Sequence, residues 1–298
     1  MAALACVCFF WGTTYLGIRI ALESFSPAML MCLRYSISGG ALLLGALVTR
    51  ARLPTPREAW RTAFYGLLTI AMGTGALAYS EQWISSGMAS LFASLQPFWL
   101  VGVEAVSPTG ERLHWPSIGG MLVGLAGVAL LMAPGGGGQG VGTQAMLGGF
   151  FLMQFGGAMW AIGSIAQRRM GSRVHPFVSG GVQQLATGIA FSIPAMLDGR
   201  HEAWDTKGLL AILYLAVFGG IVGYSAFIYS MQHLRVALVS IYTYINPMVA
   251  VALGWWVYRE PFGWRETAAM VVIFVGVTIV KWTTARSQRP EEASVPIE

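Results

Sequence analysis

Charge is scarce in this chain. Of 298 residues, Lys, Arg, Asp and Glu together make up 10%, while apolar residues make up 55%. Ordinary soluble domains hold roughly 25% and 45–50%. The apolar residues gather in repeated runs long enough to cross ~30 Å of hydrocarbon. This excludes a soluble enzyme or nucleic-acid-binding domain and indicates an all-α, polytopic integral membrane protein. The net charge of +5 then marks one side of a bilayer and does not imply a nucleic-acid partner.

Chemistry-bearing residues are equally sparse. Cys6, Cys8 and Cys32 all fall inside predicted helices, and three cysteines cannot pair completely. Cys6-x-Cys8 lacks the accompanying ligands of a zinc site. His114, His175 and His201 lie in loops, and His233 lies near a helix end. There is no His-Glu-x-x-His, no Gly-x-Ser-x-Gly elbow, no P-loop and no carboxylate cluster. No catalytic activity, cofactor or metal is expected. The chain opens almost directly in an apolar run without a basic segment, so a cleaved signal peptide is not expected.

The apolar pattern predicts ten spans, at 2–22, 27–49, 60–83, 87–106, 116–133, 145–168, 176–197, 209–232, 236–257 and 266–283. The glycine-rich tract Gly135–Gly142 divides them five and five. The expected organisation is a first unit at 1–134, a linker at 135–144, a second unit at 145–284 and a polar tail at 285–298. With the N-terminus cytoplasmic, the inner side carries Arg50, Arg52, Arg57, Arg61, Arg112, Arg168, Arg169, Arg173, Arg235, Lys281, Arg286 and Arg289. The outer side carries Arg200, Lys207, Arg259 and Arg265. Twelve against four places both termini in the cytoplasm, in a bacterial-type inner membrane.

The two halves repeat at a register of 149–150. Trp11 pairs with Trp160, Arg19 with Arg168 and Pro27 with Pro176. Tyr79-Ser80-x-Gln82 pairs with Tyr229-Ser230-x-Gln232, Pro97 with Pro247, Glu111 with Glu260 and Trp115 with Trp264. Five spans per half is an odd number, so the second copy enters from the opposite side. A proline inside an apolar helix removes a backbone hydrogen bond and bends it. Pro97 and Pro247 therefore predict a bent helix at matching depth in each half, beside a transport site.

This ordered set resembles the EamA unit, which defines the drug/metabolite transporter superfamily: a Trp-Gly-like first helix, a proline in the fourth, and a Gly-Glu-type turn before a Gly-rich fifth. The resemblance covers nearly the whole chain. The second copy departs from the pattern, with Pro261 where the first has Arg112. The aromatic density is further similar to the YddG-type exporters of aromatic amino acids. The resemblance implies a ten-helix basket with a central cavity lined by helices 1–4 and 6–9, with helices 5 and 10 outside.

Candidate cavity residues follow from spacing. Trp60, Trp83, Trp115, Trp204, Trp255, Trp256, Trp264 and Trp282 lie near span ends and read as an interfacial belt. Trp11, Trp99 and Trp160 lie well inside spans. Trp11 shares a helix face with Tyr15, and Phe92, Gln96 and Trp99 form an i, i+4, i+7 stripe. Tyr79 with Gln82, Tyr229 with Gln232, and Tyr242 with Asn246 complete the set, while Tyr244 points elsewhere. Aromatic walls stack on flat rings and attract cations at ~0.5–2 kcal/mol per contact. Amides and hydroxyls can bind an amino acid's polar groups. The expected partners are therefore the bilayer and a small molecule such as an aromatic amino acid, handled by a monomer. A multidrug or organic-cation exporter using the same cavity is the alternative, and a non-transporting scaffold or embedded enzyme is the rival of another class.

Arg34 lies within a span, either as a structural donor to nearby carbonyls or as a clamp on a substrate carboxylate. Glu23, Glu81 and Glu104 lie toward helix ends. A carrier coupled to protons usually keeps a carboxylate near its central site. Facilitated diffusion is thus favoured, with Glu81 the candidate should coupling exist. Glu111 and Glu260 are expected to cap helices 5 and 10.

Overall fold

The computed structural model of the protein describes residues 1–107, 113–133, 142–169, 174–198, 202–234, 236–239, 241–260 and 262–287. Among them all the regular secondary structure is helical, in ten helices. In chain order these are α1 (Ala2–Ala21), α2 (Pro27–Val48), α3 (Pro56–Ser80), α4 (Ser86–Val106) and α5 (Trp115–Met132). They continue with α6 (Thr143–Arg169), α7 (Pro176–Leu197), α8 (Thr206–His233), α9 (Val236–Val239 and Tyr242–Tyr258) and α10 (Trp264–Ser287). The starts are written locally. Ser26, Thr55, Ser85 and Asp205 each accept a backbone N–H of the first turn, which satisfies one of the donors that a helix start leaves open. Proline occupies the opening turn of α2, α3, α5 and α7, where its missing N–H costs nothing.

Eight of the ten helices are long and apolar enough to cross a membrane. The other two are α7, which carries Gln183, Gln184 and Thr187 in its middle, and α9, whose longer piece has 17 residues. The tryptophans assigned to span ends are all exposed, from 44% at Trp83 to 84% at Trp115. The Glu111 turn and most of the Gly135–Gly142 tract lie outside the described residues.

Helices α5 and α10 pack along their length, α2 packs against α7, and α1–α9 and α4–α6 pairings cross between the halves. The α5–α10 contact needs glycine: a Cβ on Gly276 would lie 2.4 Å from the Gly124 nitrogen. That is backbone on backbone, the close approach small residues allow. One buried cluster, including Phe92, Leu95 and Ile273, joins α4, α5, α6, α9 and α10. A second, including Ile18, Leu30 and Leu215, joins α1, α2, α3 and α8.

Two departures from regular helix bear on the cavity. Helix α3 is π-helical over Leu67–Thr74, and α8 over Leu215–Gly223. Such i→i+5 stretches are rare and favour functional sites. Helix α4 divides after Ala93 and resumes at Gln96, with Pro97 in the opening turn of the second piece. The proline ring excludes the carbonyl four residues back, which belongs to Ala93. The matching Pro247 lies inside an unbroken stretch of α9, so the expected equivalence of the two prolines is only partly realised.

Candidate substrate cavity

A cavity of about 450 Å³ opens between the two buried clusters. Its walls come from α1–α4 and α6–α9, and no residue of α5 or α10 lines it. The volume lies in the range of small-molecule sites, and the character matches too, with apolar and aromatic walls carrying a few placed polar groups.

Trp11, Tyr15, Phe92, Gln96, Trp99, Trp160, Tyr242, Asn246, Pro247 and Arg34 all line this space. Several are held in place by hydrogen bonds to their polar atoms. The Trp11 indole donates to the Gly219 carbonyl at 3.2 Å and meets Phe227 and Tyr242 ring to ring. The Trp99 indole donates to Gln154 Oε1 at 2.9 Å, and Gln96 Nε2 donates to the Gly157 carbonyl at 3.1 Å. Asn246, oriented so that its amide is satisfied, donates to the Cys8 carbonyl at 2.9 Å.

Tyr79, Gln82, Tyr229 and Gln232 are not in the wall. Gln82 Nε2 donates to the Tyr79 carbonyl. Tyr229 is 55% exposed and stacks on His233 at 4.1 Å. Both expected pairs follow a π-helical stretch, and each wider turn rotates the downstream face away from its 3.6-residue position. Leu77 on α3, and Tyr224 and Phe227 on α8, line the cavity instead. Pro97 is buried behind the wall that Gln96 and Trp99 form. Glu81 is fully buried, and neither carboxylate oxygen has a hydrogen-bond partner.

A polar group in the wall escaped the spacing argument. Ser38 Oγ donates to Gln184 Oε1 at 2.5 Å, and Gln184 Nε2 donates to the Gly220 carbonyl at 3.1 Å. Gln183 Nε2 donates to Ser179 Oγ at 3.1 Å. The adjacent Gln183 and Gln184 in an apolar run were the available signal, since amides in a membrane must find partners.

One end of the cavity is tied across the halves. Glu260 accepts from Ser86 N at 3.0 Å, Ser86 Oγ at 2.9 Å and Gly87 N at 3.0 Å. It therefore caps α4, and the expectation that it caps the tenth helix is corrected: at that helix start Glu266 accepts from Gly263 N at 2.7 Å. Local sequence favoured the nearer helix, but the turn places the carboxylate over a distant N-terminus. Glu202 caps α2 in the same way, accepting from Ser26 N at 2.8 Å and Ser26 Oγ at 2.7 Å. Glu23 binds Lys207 at 2.5 Å and also accepts from the Tyr258 hydroxyl. These two bonds, Lys207 first, hold the Glu23 carboxyl below its usual range.

The pattern of the EamA-like transporter family matches residues 1–133 and again residues 147–282. The chain belongs to that family. It is a membrane transporter, not an enzyme. The chain is 33% identical over 283 residues to the uncharacterized inner membrane transporter YedA of Escherichia coli (strain K12), covering 93% of this chain and 89% of that protein. It is 25% identical to a probable terminal-alkyne amino-acid exporter of Streptantibioticus cattleyicolor, covering 96% and 94%. A crystal structure at 22% identity shares the fold, with a TM-score of 0.67 over 96% of this chain.

Proposed function

We propose that this EamA-family chain is an inner-membrane exporter of small metabolites, with aromatic and other neutral amino acids as its substrates. The observation that carries the reading is the cavity: rings of Trp11, Trp99, Trp160 and Tyr242 beside the amides of Gln96, Gln183 and Asn246. Rings receive an apolar or aromatic side chain by stacking. Amides and hydroxyls complement ammonium and carboxylate without a fixed counter-charge for each. The amino-acid exporter among the relatives supports the same class. An organic cation would also suit the rings, but the Arg34 charge in the wall repels it.

In this reading all ten helices cross the bilayer, the two five-helix halves are inverted copies, and both termini are cytoplasmic. Alternating access follows from rearrangement of the halves around the cavity. The end tied by Glu202 and Glu260 is then the outer one. The lining runs on through Ser164, Gln167, Ile228 and Thr243 toward the opposite end, which supports reading this as an inward-facing state.

The test is uptake of labelled phenylalanine and alanine into proteoliposomes, per folded molecule, for the wild type, Trp160→Phe and Trp160→Ala. Loss of a stacking ring removes ~0.5–1.5 kcal/mol of specific contact, a several-fold change in apparent affinity. Trp160→Phe is expected to transport both. Trp160→Ala is expected to lose phenylalanine transport several-fold more than alanine transport. A wild type silent toward every neutral amino acid would sink the reading.

A further inference from the structure

Arg34 is 5% exposed, lies in the cavity wall on α2, and makes no ion pair among the described residues. Its Nε and Nη1 are buried with no hydrogen-bond partner. Its Nη2 lies beside Gly219, where an added Cβ would come within 3.0 Å of it. The guanidinium rests 4.8 Å from the ring centre of Tyr35, a contact that tempers a cation's charge without neutralising it. A structural arginine would spend these donors on nearby carbonyls, and this one does not. Glu81 is close enough to feel the charges of Arg19 and Arg34, yet its carboxylate bonds to neither.

A charged guanidinium buried in a membrane protein is costly unless paired. Its donor fork fits a carboxylate's two oxygens. The missing anion must be small enough to enter the cavity, and the rings of Trp11 and Tyr242 share that space. We propose that Arg34 is the carboxylate-binding residue of the cavity, so that the transported molecule is a carboxylate with an apolar or aromatic side chain. The proposal rests on the amino-acid reading above and sharpens it, since an amine lacking the carboxylate would be a poor ligand.

The test uses purified wild type, Arg34→Gln, Arg34→Lys and Glu81→Gln, with thermal unfolding followed in the presence of L-phenylalanine, phenylacetate and phenethylamine. The two carboxylates are expected to stabilise the wild type, and phenethylamine is not. Arg34→Gln is expected to weaken the apparent affinity for both carboxylates at least about tenfold, as loss of a charged hydrogen bond does. Arg34→Lys should keep part of the response, and Glu81→Gln should keep the discrimination. Equal stabilisation by phenethylamine, or by none of the three, overturns the proposal in the wild type alone, even if Arg34→Gln does not fold. So does a folded Arg34→Gln that binds phenylalanine like the wild type, or a Glu81→Gln that loses discrimination, which would make Glu81 the partner. Carboxylate binding through Arg34 without phenylalanine uptake into liposomes would instead sink the transport reading and leave Arg34 in its role.

Discussion

At one end of the bundle, Glu202 and Glu260 reach across to the N-termini of α2 and α4, taking backbone N–H and serine hydroxyl bonds at 2.7–3.0 Å. At the other, Glu104 meets Arg168 at 2.8 Å and Arg169 at 3.0 Å, with the Arg168 side chain 68% exposed. Both are contacts between the halves, but they differ in kind. A carboxylate on a helix start satisfies donors that have no other partner and meets the positive end of the helix dipole. An exposed ion pair gives up hydration that water would return at once. The difference teaches that the tied end has a directional lock and the other only a weak latch, an asymmetry suited to a carrier at rest with one side shut.

The strongest way to break this comparison is Glu260→Ala. Three bonds to α4 are lost and two backbone donors are left open, so a destabilisation of about 2–3 kcal/mol is expected. Thermal unfolding of the purified protein reads it, and a loss below about 0.5 kcal/mol would remove the lock from the argument.

Acid supplies the next effect. Because Lys207 and Tyr258 hold the Glu23 carboxyl below its ordinary value of 4.5, the charged form favours the folded protein. That contribution is complete above 4.5 and is lost as pH falls through the lowered value. The stability difference between wild type and Glu23→Gln should therefore stay constant from pH 7 down to about 5 and close at more acid pH. A gap that widens in acid contradicts the assignment.

Glu104→Gln should change least. The cost expected is below about 1 kcal/mol, and smaller still in high salt. A cost matching that of Glu260→Ala would mean that the two ends are held alike.

The helices themselves were legible in the sequence, since length of apolar run, capping serines and opening prolines are local signals. The belt tryptophans and most cavity aromatics were legible for the same reason: Trp11, Trp99, Trp160 and Tyr242 needed only their position within a span. Spacing failed at Tyr79, Gln82, Tyr229 and Gln232, because a 3.6-residue period cannot be carried through the π-helical stretches of α3 and α8. It also could not assign Glu260, which serves a helix 174 residues away, nor Glu202 at Ser26.

What the sequence determined by itself is the membrane class, the helices and the stock of rings and amides, because each depends on neighbours within a few turns. Tertiary structure decided the rest: which faces meet at the cavity, that α4 divides at Pro97 while α9 runs through Pro247, and that Arg34 is buried with no ion pair among the described residues. These depend on groups far apart in the chain, whose pairing is set by packing and by where charge can be satisfied, and no local pattern encodes that.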